Sequence, residues 1–578
     1  MDLFDDIDKR FRGRVREFRW ISGETGRGSE VLGYSEGKAY IDADFDLEIF
    51  DRLHDPALIG VRRRYRGADW YIVLEVTSIY PYHLEMGSLD PSVPPLLKEE
   101  ALVRIHESWE SGGENWMSIE AIHTGYMLRD SGDDIEVVRK GISPLIGEEA
   151  HILNKDVYSA LINKGDVDIG VMLGYDVNVK ISTYPLYRYH TGFFGYTGTG
   201  KSNLVSTLLR KTLEENEDLV AVVIDSTGEY PVNILDMIYN YGIIYVDPET
   251  VIDRFIETVV MPETLNKKLG GKGEEIIRDR LRDIWEDGRI QKIFLSQLVP
   301  TLEDVVNIFS SKDANEKINP LMKFEIQTLI AQMEEYLDEP ISKLYRENPE
   351  VIEAVKRLIE TVKDSISERT NLYKNLEHME IIIDKAMDME DREVETPKTL
   401  AWKILYDDGF PRVCLLYSPE PDFTAKLIAL LIERIFRYKK TEGLGREVLF
   451  VVDEAHEYIP REARGGVSDS NKALEMLFRQ GRKYKAGGWI ATQRVAHLNT
   501  NILQQLHSYF ISNLPRTYDR NVIADSFSVS RSIIDQVTRF ERGQWIMISH
   551  VATKYPGIPV VISTPNNEDN LVEFLRST

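Results

Sequence analysis

The chain has 578 residues, of which 95 are acidic and 70 basic, so its formal net charge is −25 at pH 7 and its isoelectric point lies near 5. This charge excludes a surface that binds polyanions everywhere, but it leaves room for a local basic patch or a basic channel built by several chains. The single cysteine, Cys414, excludes an internal disulfide and a cysteine-based metal cluster, and it favours a reducing compartment.

Nothing in the sequence predicts export or a membrane partner. The acidic N-terminus lacks the apolar region of a signal peptide. The apolar run Leu427–Phe436 is interrupted by Glu433 and Arg434 and is too short to span a bilayer. We therefore expect a cytoplasmic protein, and its length predicts roughly two to four domains.

Residues 1–180 are predicted to form a β-rich domain. Short β-branched and aromatic runs alternate there with turn residues, which favours a small barrel or a sandwich. The predicted strands are Trp70–Val76, Ala101–Ile105, Met117–Leu128 and Val167–Leu173. We find no catalytic constellation in this part of the chain.

Residues 181–250 and 400–560 are predicted to form one α/β domain. Their strands are continuous apolar runs, as expected for a parallel sheet buried on both faces. These runs are Leu219–Asp225, Ile243–Asp247, Val413–Ser418, Leu449–Glu454, Gly488–Gln493, Tyr509–Leu514 and Trp545–Ser549.

Residues 251–399 interrupt this domain with charged, helical sequence. Thr301–Asp304 is typical of a helix start, and Asn348-Pro349 reads as an N-cap followed by a first-turn proline. We interpret the segment as a helical insertion. The tail, residues 561–578, either latches onto a neighbouring subunit or is a frayed terminal helix.

A glycine-rich turn, GYTGTGKS at Gly195–Ser202, follows an apolar strand and precedes a helix. This is the context in which a P-loop uses backbone N–H groups and a helix N-terminus to hold phosphates. Lys201 is expected to reach the β- and γ-phosphates of ATP, and the Ser202 hydroxyl to bind Mg²⁺. The predicted ATP-binding residues are Gly195, Thr197, Gly198, Thr199, Gly200, Lys201, Ser202 and Asn203.

Three further strand ends carry polar residues toward the same pocket. Asp453 is predicted to hold Mg²⁺, and the adjacent Glu454 to activate the attacking water. Gln493 is placed like a sensor of the γ-phosphate. Asp225 and Glu229 either line the site or cap a helix.

Leu477–Arg494 contains five cationic side chains and no carboxylate. A P-loop subunit usually needs an additional cation for the charge that develops on the γ-phosphate, and arginine suits this task. We expect Arg479 or Arg482 to act on the ATP of a neighbouring subunit, and the sequence leaves the choice between them open. Lys485 is interpreted as solvated.

Together these motifs resemble the HerA/FtsK superfamily, and HerA-type hexameric DNA translocases most closely. The matching pieces are GYTGTGKSN, VVIDSTGEY, VVDEAHEYIP, FRQGRKYKAGG and IATQR followed by NILQQL. The resemblance implies a RecA-like ATPase core, an N-terminal barrel, a helical bundle and a homo-hexameric ring around double-stranded DNA. It also implies a partner, either a NurA-like nuclease or an anti-phage defence effector, docked on the barrel.

The DNA-contacting residues are less distinctive. Arg461, Arg464 and Lys472 flank or lie in a loop that either presents them to phosphates in the pore or is a disordered surface loop. Whether the ring has six or seven subunits stays open.

Three functions remain in competition. The first is an ATP-driven translocase of double-stranded DNA coupled to an effector. The second is an assembly ATPase that scaffolds and activates a partner with little DNA pumping, and the third is a secretion or conjugation motor acting at a membrane. A metabolic P-loop kinase is a remote fourth, since it needs no glutamate poised to activate water.

Overall fold

The computed structural model describes residues 2–25, 32–111, 114–132, 134–295, 301–309, 311–333, 336–337, 339–387, 395–462 and 467–577. Its strands form two sheets. A helical segment with its own hydrophobic core lies between two strands of the second sheet in the order of the chain. No helix among these residues has both the length and the apolar content needed to cross a membrane.

The first sheet has seven strands. They are Gly13–Thr25 (β1), Leu32–Asp44 (β2), Leu58–Tyr65 (β3), Ala68–His83 (β4), Asn115–Asp130 (β5), Ile135–Arg139 (β6) and Glu149–Ile152 (β7). Their order is β2-β1-β7-β3-β4-β5-β6, and β2 also pairs with β5, so six strands close into a ring. Alternate residues Ile72, Leu74 and Val76 face the core of this ring, as the two-residue period of a strand requires.

Three helices accompany the first sheet: Leu47–Arg52 (α1), Pro95–Ser111 (α2) and Lys155–Ile162 (α3). The predicted strand Ala101–Ile105 was wrong, because these residues belong to α2. Ala101, Ile105 and Ser108 are buried at helical spacing. A short apolar run cannot distinguish a strand from one face of a helix by its pattern alone.

The second sheet has twelve strands. They are Val167–Met172 (β8), Val177–Ile181 (β9), Thr191–Phe194 (β10), Leu219–Asp225 (β11), Gly242–Val246 (β12), Ile290–Lys292 (β13), Val413–Tyr417 (β14), Glu447–Val452 (β15), Ala486–Thr492 (β16), Ser508–Ile511 (β17), Gln544–Ser549 (β18) and Val560–Ser563 (β19). The order is β13-β12-β14-β11-β15-β16-β10-β17-β18-β19-β8-β9. The first eight are mutually parallel, and their buried apolar runs confirm the predicted α/β core.

Strands β8 and β9 join the second sheet through β19, although they precede the predicted boundary at residue 180. A strand's sequence does not specify which of two sheets it will extend, because that depends on partners distant in the chain. The boundary itself stays a prediction.

Helices flank this sheet on both faces. The first group is Thr183–Arg188 (α4), Lys201–Glu215 (α5), Tyr230–Asn233 (α6), Leu235–Tyr241 (α7), Ile252–Thr258 (α8), Glu263–Lys268 (α9) and Gly273–Glu286 (α10). The helical segment follows with Leu302–Phe309 (α11), Lys312–Lys317 (α12), Pro320–Gln332 (α13), Ile341–Glu347 (α14), Pro349–Ser365 (α15) and Asn371–Met387 (α16). The last group is Pro397–Tyr406 (α17), Pro421–Thr441 (α18), Val467–Gln480 (α19), Thr500–Leu503 (α20), Thr517–Phe527 (α21), Arg531–Asp535 (α22) and Asn567–Ser577 (α23).

The helical segment has a separate hydrophobic core. Ile352, Val355 and Ile359 lie on one face of α15 and pack in the same cluster as Leu372 and Leu376 of α16. Helix α15 begins at Pro349, as the Asn-Pro pair predicted. Among the described residues there are also six short 3-10 helices: Asp6–Lys9, Leu84–Leu89, Ala455–Glu457, Gly481–Tyr484, Val495–His497 and Gln536–Arg539.

Candidate nucleotide site

The glycine-rich loop leads from β10 into α5 at the carboxyl edge of the parallel sheet. The Tyr196 N–H donates to the carbonyl of Asn513 at 2.8 Å, which ties the loop to the segment after β17. Gly198 and Gly200 have φ angles of 86° and 99°, a left-handed conformation that favours glycine. The loop therefore curls tightly in front of the N-terminus of α5, as a phosphate cradle requires.

The first two residues of α5 carry the predicted phosphate and metal contacts. Lys201 is buried beside Asp453 and Glu454, and its proximity favours the ionised form of both carboxyl groups. The Ser202 hydroxyl donates to Oε2 of Glu229 at 2.6 Å. Glu229 therefore lines this pocket, one of the two placements that the sequence left open.

Asp225 takes the other placement that the sequence left open, at the start of a helix. Its Oδ1 accepts from the N–H groups of Thr227 and Gly228 at 2.8 and 3.0 Å, and its Oδ2 accepts from the N–H of Tyr230 at 3.0 Å. The carboxylate thus holds the turn that leads into α6. Burial raises the pKa of Asp225 in spite of these hydrogen bonds.

Asp453 follows strand β15 and is buried in the same pocket. Burial raises its pKa well above the usual range, and the neighbouring carboxylates of Asp225, Glu454 and Glu229 raise it further, while the Lys201 ammonium acts in the opposite direction. The pocket therefore concentrates more negative charge than its lysine balances.

The excess negative charge of this pocket and its oxygen donors fit a hydrated Mg²⁺ ion. A hard cation prefers oxygen ligands, and here Ser202 and Asp453 offer a hydroxyl and a carboxylate. Among the described residues, no three His, Cys, Asp or Glu side chains are arranged to hold a metal by themselves. The buried Tyr230 hydroxyl finds no hydrogen-bond partner within the described ranges.

Glu454 has an unusual backbone conformation and a histidine neighbour. Its φ of 40° and ψ of 47° place it in the left-handed region, where a non-glycine residue is strained. Its Oε2 lies 3.2 Å from Nδ1 of His456, and that nitrogen lies 3.1 Å from the Thr492 hydroxyl. Burial opposes ionisation of Glu454, but hydrogen bonding from His456 and the charge of Lys201 outweigh it and lower its pKa. An ionised carboxylate is what a general base needs.

Gln493 follows β16, which lies between the P-loop strand β10 and the Asp453 strand β15. The Thr197 hydroxyl donates to Oε1 of Gln493 at 2.5 Å. The structure thus brings together Lys201, Ser202, Asp453, Glu454 and Gln493 at one edge of the sheet.

Asn203, a predicted ATP contact, uses its side chain elsewhere. Its Oδ1 accepts from the Asn567 N–H at 2.7 Å, and its Nδ2 donates to the Pro565 carbonyl at 3.0 Å. Asn567 is itself buried, accepts from Arg210 at 2.5 Å and donates to the carbonyl of Asn233 at 2.8 Å. Helix α23 of the tail is therefore packed on the P-loop helix of its own chain.

The two candidate arginines lie at the other end of β16. Arg479, at the end of α19, is exposed, and its guanidinium lies 3.6 Å from Glu475. The acid-free stretch Leu477–Arg494 led us to expect no carboxylate beside this arginine, which was wrong. Glu475 lies two residues before that stretch, and in the helix it is one turn from Arg479. The Arg482 guanidinium lies 5.3 Å from the ring centroid of Tyr189. Lys485, interpreted as solvated, keeps 41% of its side chain exposed and lies 3.8 Å from Glu447.

The predicted DNA-contacting residues flank one loop. Arg464 lies outside the described residues. Arg461 is exposed, and so is Lys472, which lies 3.5 Å from Asp469. The predicted loop Pro460–Lys472 was wrong in its second half, because Lys472 lies within helix α19. Asn471 Nδ2 donates to the Pro460 carbonyl at 2.9 Å, which holds the two ends of the loop together.

Sequence reasoning did not single out two of these residues. His456 stands two positions after Glu454, and an imidazole at that spacing from a strand-end glutamate was the available signal. Asn567 gave no signal, because its partners Asn203, Arg210 and Asn233 are more than 300 positions earlier in the chain.

Comparison with known proteins places this geometry in a family. A family model described as "Helicase HerA, central domain" matches residues 167–397. The "DNA double-strand break repair helicase HerA" of Sulfolobus acidocaldarius is 23% identical over 447 residues, which cover 76% of this chain and 77% of that relative. These similarities support a HerA-type ATPase family for this chain.

A second HerA relative, from Pyrococcus furiosus, is 24% identical over 473 residues and covers 78% of this chain and 79% of its own. Among solved structures, VirB4 of Thermoanaerobacter pseudethanolicus is 11% identical with a TM-score of 0.40, over 71% of this chain and 99% of that chain. The similarity to HerA helicases supports ATPase activity of the DNA helicase type for this chain.

Proposed function

We propose that this HerA-family ATPase forms a ring that translocates double-stranded DNA and drives an effector with which it processes DNA ends or invading DNA. One observation carries the proposal. The phosphate loop, the Asp453–Glu454 pair and Gln493 meet at one edge of the sheet, whereas both candidate arginines lie at the opposite end of β16. A seven-residue strand rises by roughly 20 Å, so neither arginine can serve the ATP of its own subunit.

This arrangement supports catalysis shared between subunits. In the proposed site, Lys201 and Ser202 hold the phosphates and Mg²⁺, Asp453 holds the metal through water, and Glu454 takes a proton from the attacking water. Gln493 contacts the γ-phosphate, and Arg479 or Arg482 of the neighbouring subunit stabilises the charge that develops on it. A closed ring, most simply a homo-hexamer, supplies one such arginine to every site.

We further propose how the chain is divided. The N-terminal region, residues 1–180, contains the strand ring, which serves as the family's barrel and as the docking site for a NurA-like nuclease or a defence effector. Residues 181–250 and 400–560 form the motor, 251–399 the helical insertion and 561–578 the tail. Arg461, Arg464 and Lys472 face duplex phosphates in the pore, where cationic side chains bind without regard to sequence.

An assembly ATPase is the second candidate. The net charge of −25 disfavours strong DNA binding outside the pore, and α2 exposes four apolar side chains, Leu96, Leu97, Leu102 and Val103, that a protein partner would cover. In this case the ring activates its partner and pumps little DNA.

One preparation measured twice tests the proposal. Its mass in solution gives the oligomeric state, and its ATPase rate is compared with and without linear duplex at two salt concentrations. We expect a ring whose turnover rises with duplex and whose DNA affinity falls steeply with salt. A ring whose turnover ignores DNA supports the assembly ATPase, and a monomer that hydrolyses ATP at full rate excludes catalysis in trans.

A further inference from the structure

The 2.6 Å hydrogen bond between Ser202 and Glu229 has a chemical direction. The Glu229 oxygen is the acceptor of this bond, and a serine hydroxyl has one hydrogen and two acceptor lone pairs. In this pair the hydrogen of Ser202 therefore points to Glu229. The lone pairs of the same oxygen are left for another partner.

A hydroxyl binds a metal ion through the lone pairs of its oxygen. A hydroxyl whose hydrogen rotates freely spends part of its time pointing that hydrogen at the cation or donating it to a phosphate oxygen. We propose that Glu229 is a positioning residue that holds the Ser202 hydroxyl in the orientation in which its oxygen accepts the divalent cation of the nucleotide complex. This inference rests on the proposed ATP·Mg²⁺ site.

The turn that carries Glu229 is fixed independently of any ligand. Both oxygens of Asp225 are occupied by N–H donors from Thr227, Gly228 and Tyr230, so the turn cannot shift without breaking buried hydrogen bonds. Gly228 has a φ of 77°, a left-handed conformation that this turn requires and that glycine adopts without steric cost. Glu229 is the next residue, and its position is set by this frame.

Outer partners of metal ligands generally act in this way. They fix a ligand's orientation and add charge that raises its affinity for the cation, and their loss typically weakens metal binding about 10–100-fold. The Glu229 carboxylate supplies both effects without occupying a coordination position. Its loss should therefore weaken the contribution of Mg²⁺ to ATP binding and leave metal-free ATP binding almost unchanged.

The experiment measures ATP affinity by calorimetry, once in EDTA and once in saturating Mg²⁺. All proteins carry Glu454→Gln so that ATP is not consumed. We expect Glu229→Ala to reduce the Mg²⁺-dependent gain in affinity by about tenfold or more. Glu229→Gln, which keeps an acceptor oxygen but not the charge, should lose less. Glu457→Ala is the matched control, because Glu457 is exposed on the segment after Glu454 and its removal should leave the gain unchanged.

Two further outcomes decide the inference. Ser202→Ala should remove the same part of the gain, and adding Glu229→Ala to it should cost little more, because the two residues act through one oxygen. An unchanged gain in Glu229→Ala, or an equal loss of affinity in EDTA and in Mg²⁺, overturns the positioning role. If the parent protein binds no ATP under either condition, the proposed nucleotide site itself is wrong.

Discussion

Thr197 of the phosphate loop and Gln493 at the end of β16 are joined by a 2.5 Å hydrogen bond, with the threonine hydroxyl as donor. Thr492, the last residue of β16, has its hydroxyl 3.1 Å from Nδ1 of His456. A γ-phosphate entering the loop would compete for Gln493. Loss of the hydrogen bond between Thr197 and Gln493 would then alter the end of β16, which lies beside the strand end that carries Glu454.

Removal of the Gln493 amide should slow hydrolysis more than it weakens binding. We expect Gln493→Ala to lower the turnover number about 10²–10³-fold, as the loss of one preorganised donor to a reacting oxyanion does, while ATP affinity changes little. Thr197→Val, which keeps the shape of the side chain, should have the smaller effect. Steady-state kinetics and ATP titration distinguish the two, and a Gln493→Ala enzyme that binds ATP poorly but turns over normally would contradict the sensor role.

Substitutions of Lys201 and of Glu454 should impair different steps of the ATPase cycle. Lys201→Ala removes a charged contact to phosphate and should weaken ATP binding about 10–100-fold. Glu454→Gln keeps the binding site but removes the base, so it should retain ATP while turnover falls about 10²–10⁴-fold. Retention of radiolabelled ATP on a filter checks both variants. Normal turnover in either variant would mean that the site is misassigned.

The arginines can be tested for action on a neighbouring subunit. Arg479→Ala or Arg482→Ala, whichever removes the finger, should lower turnover about 10³–10⁵-fold with ATP binding intact. Lys483→Ala, an exposed cation in the same segment, is the control. Mixing the inactive arginine variant with Lys201→Ala should restore part of the activity, because each intact P-loop then meets an intact arginine. A mixture as inactive as its parts would contradict catalysis in trans.

Buried Glu75 on β4 should make stability depend on pH. Burial raises the pKa of Glu75 to about 8, so the folded chain keeps a proton that the unfolded chain releases near pH 4.5. The folded state therefore loses about 1.4 kcal/mol per pH unit from this group as pH rises from about 5 to 8. Glu75→Gln should stabilise the protein by roughly 3–5 kcal/mol at pH 9 and by little at pH 5.

Urea unfolding of the N-terminal sheet at both pH values gives the required free energies. Exposed Glu99→Gln is the control for loss of an acidic side chain. Equal effects of Glu75→Gln at pH 5 and pH 9 would show that the carboxyl does not titrate in this range.

The contact between the tail and the P-loop helix should support ATP binding. Asn567→Leu removes a buried side-chain acceptor and donor, which should destabilise the docked tail by about 2–4 kcal/mol. Faster hydrogen exchange in α23 and an ATP affinity about five- to tenfold weaker are the expected results. Asn570→Leu, on the exposed face of the same helix, should change neither. Normal exchange in Asn567→Leu would show that the apolar contacts of the helix suffice.

Local sequence determined much of this protein. The P-loop, the α/β core and the strand ends at Asp453 and Gln493 follow from patterns only a few residues long, because backbone conformation at glycines and burial of apolar strands are local effects. The start of α15 was predictable for the same reason. The sequence also placed Glu229 near the pocket without deciding between lining it and capping a helix.

Tertiary structure decided the rest. Asp225 holds a turn and Glu229 lines the pocket. The two roles differ only because α5 brings Ser202 next to Glu229. The assignment of β8 and β9 to the second sheet, the pairing of Arg479 with Glu475 and the docking of Asn567 on Asn203 all depend on which surfaces meet. Such contacts join residues whose own patterns allow several partners, and the free energy of packing the whole chain selects one.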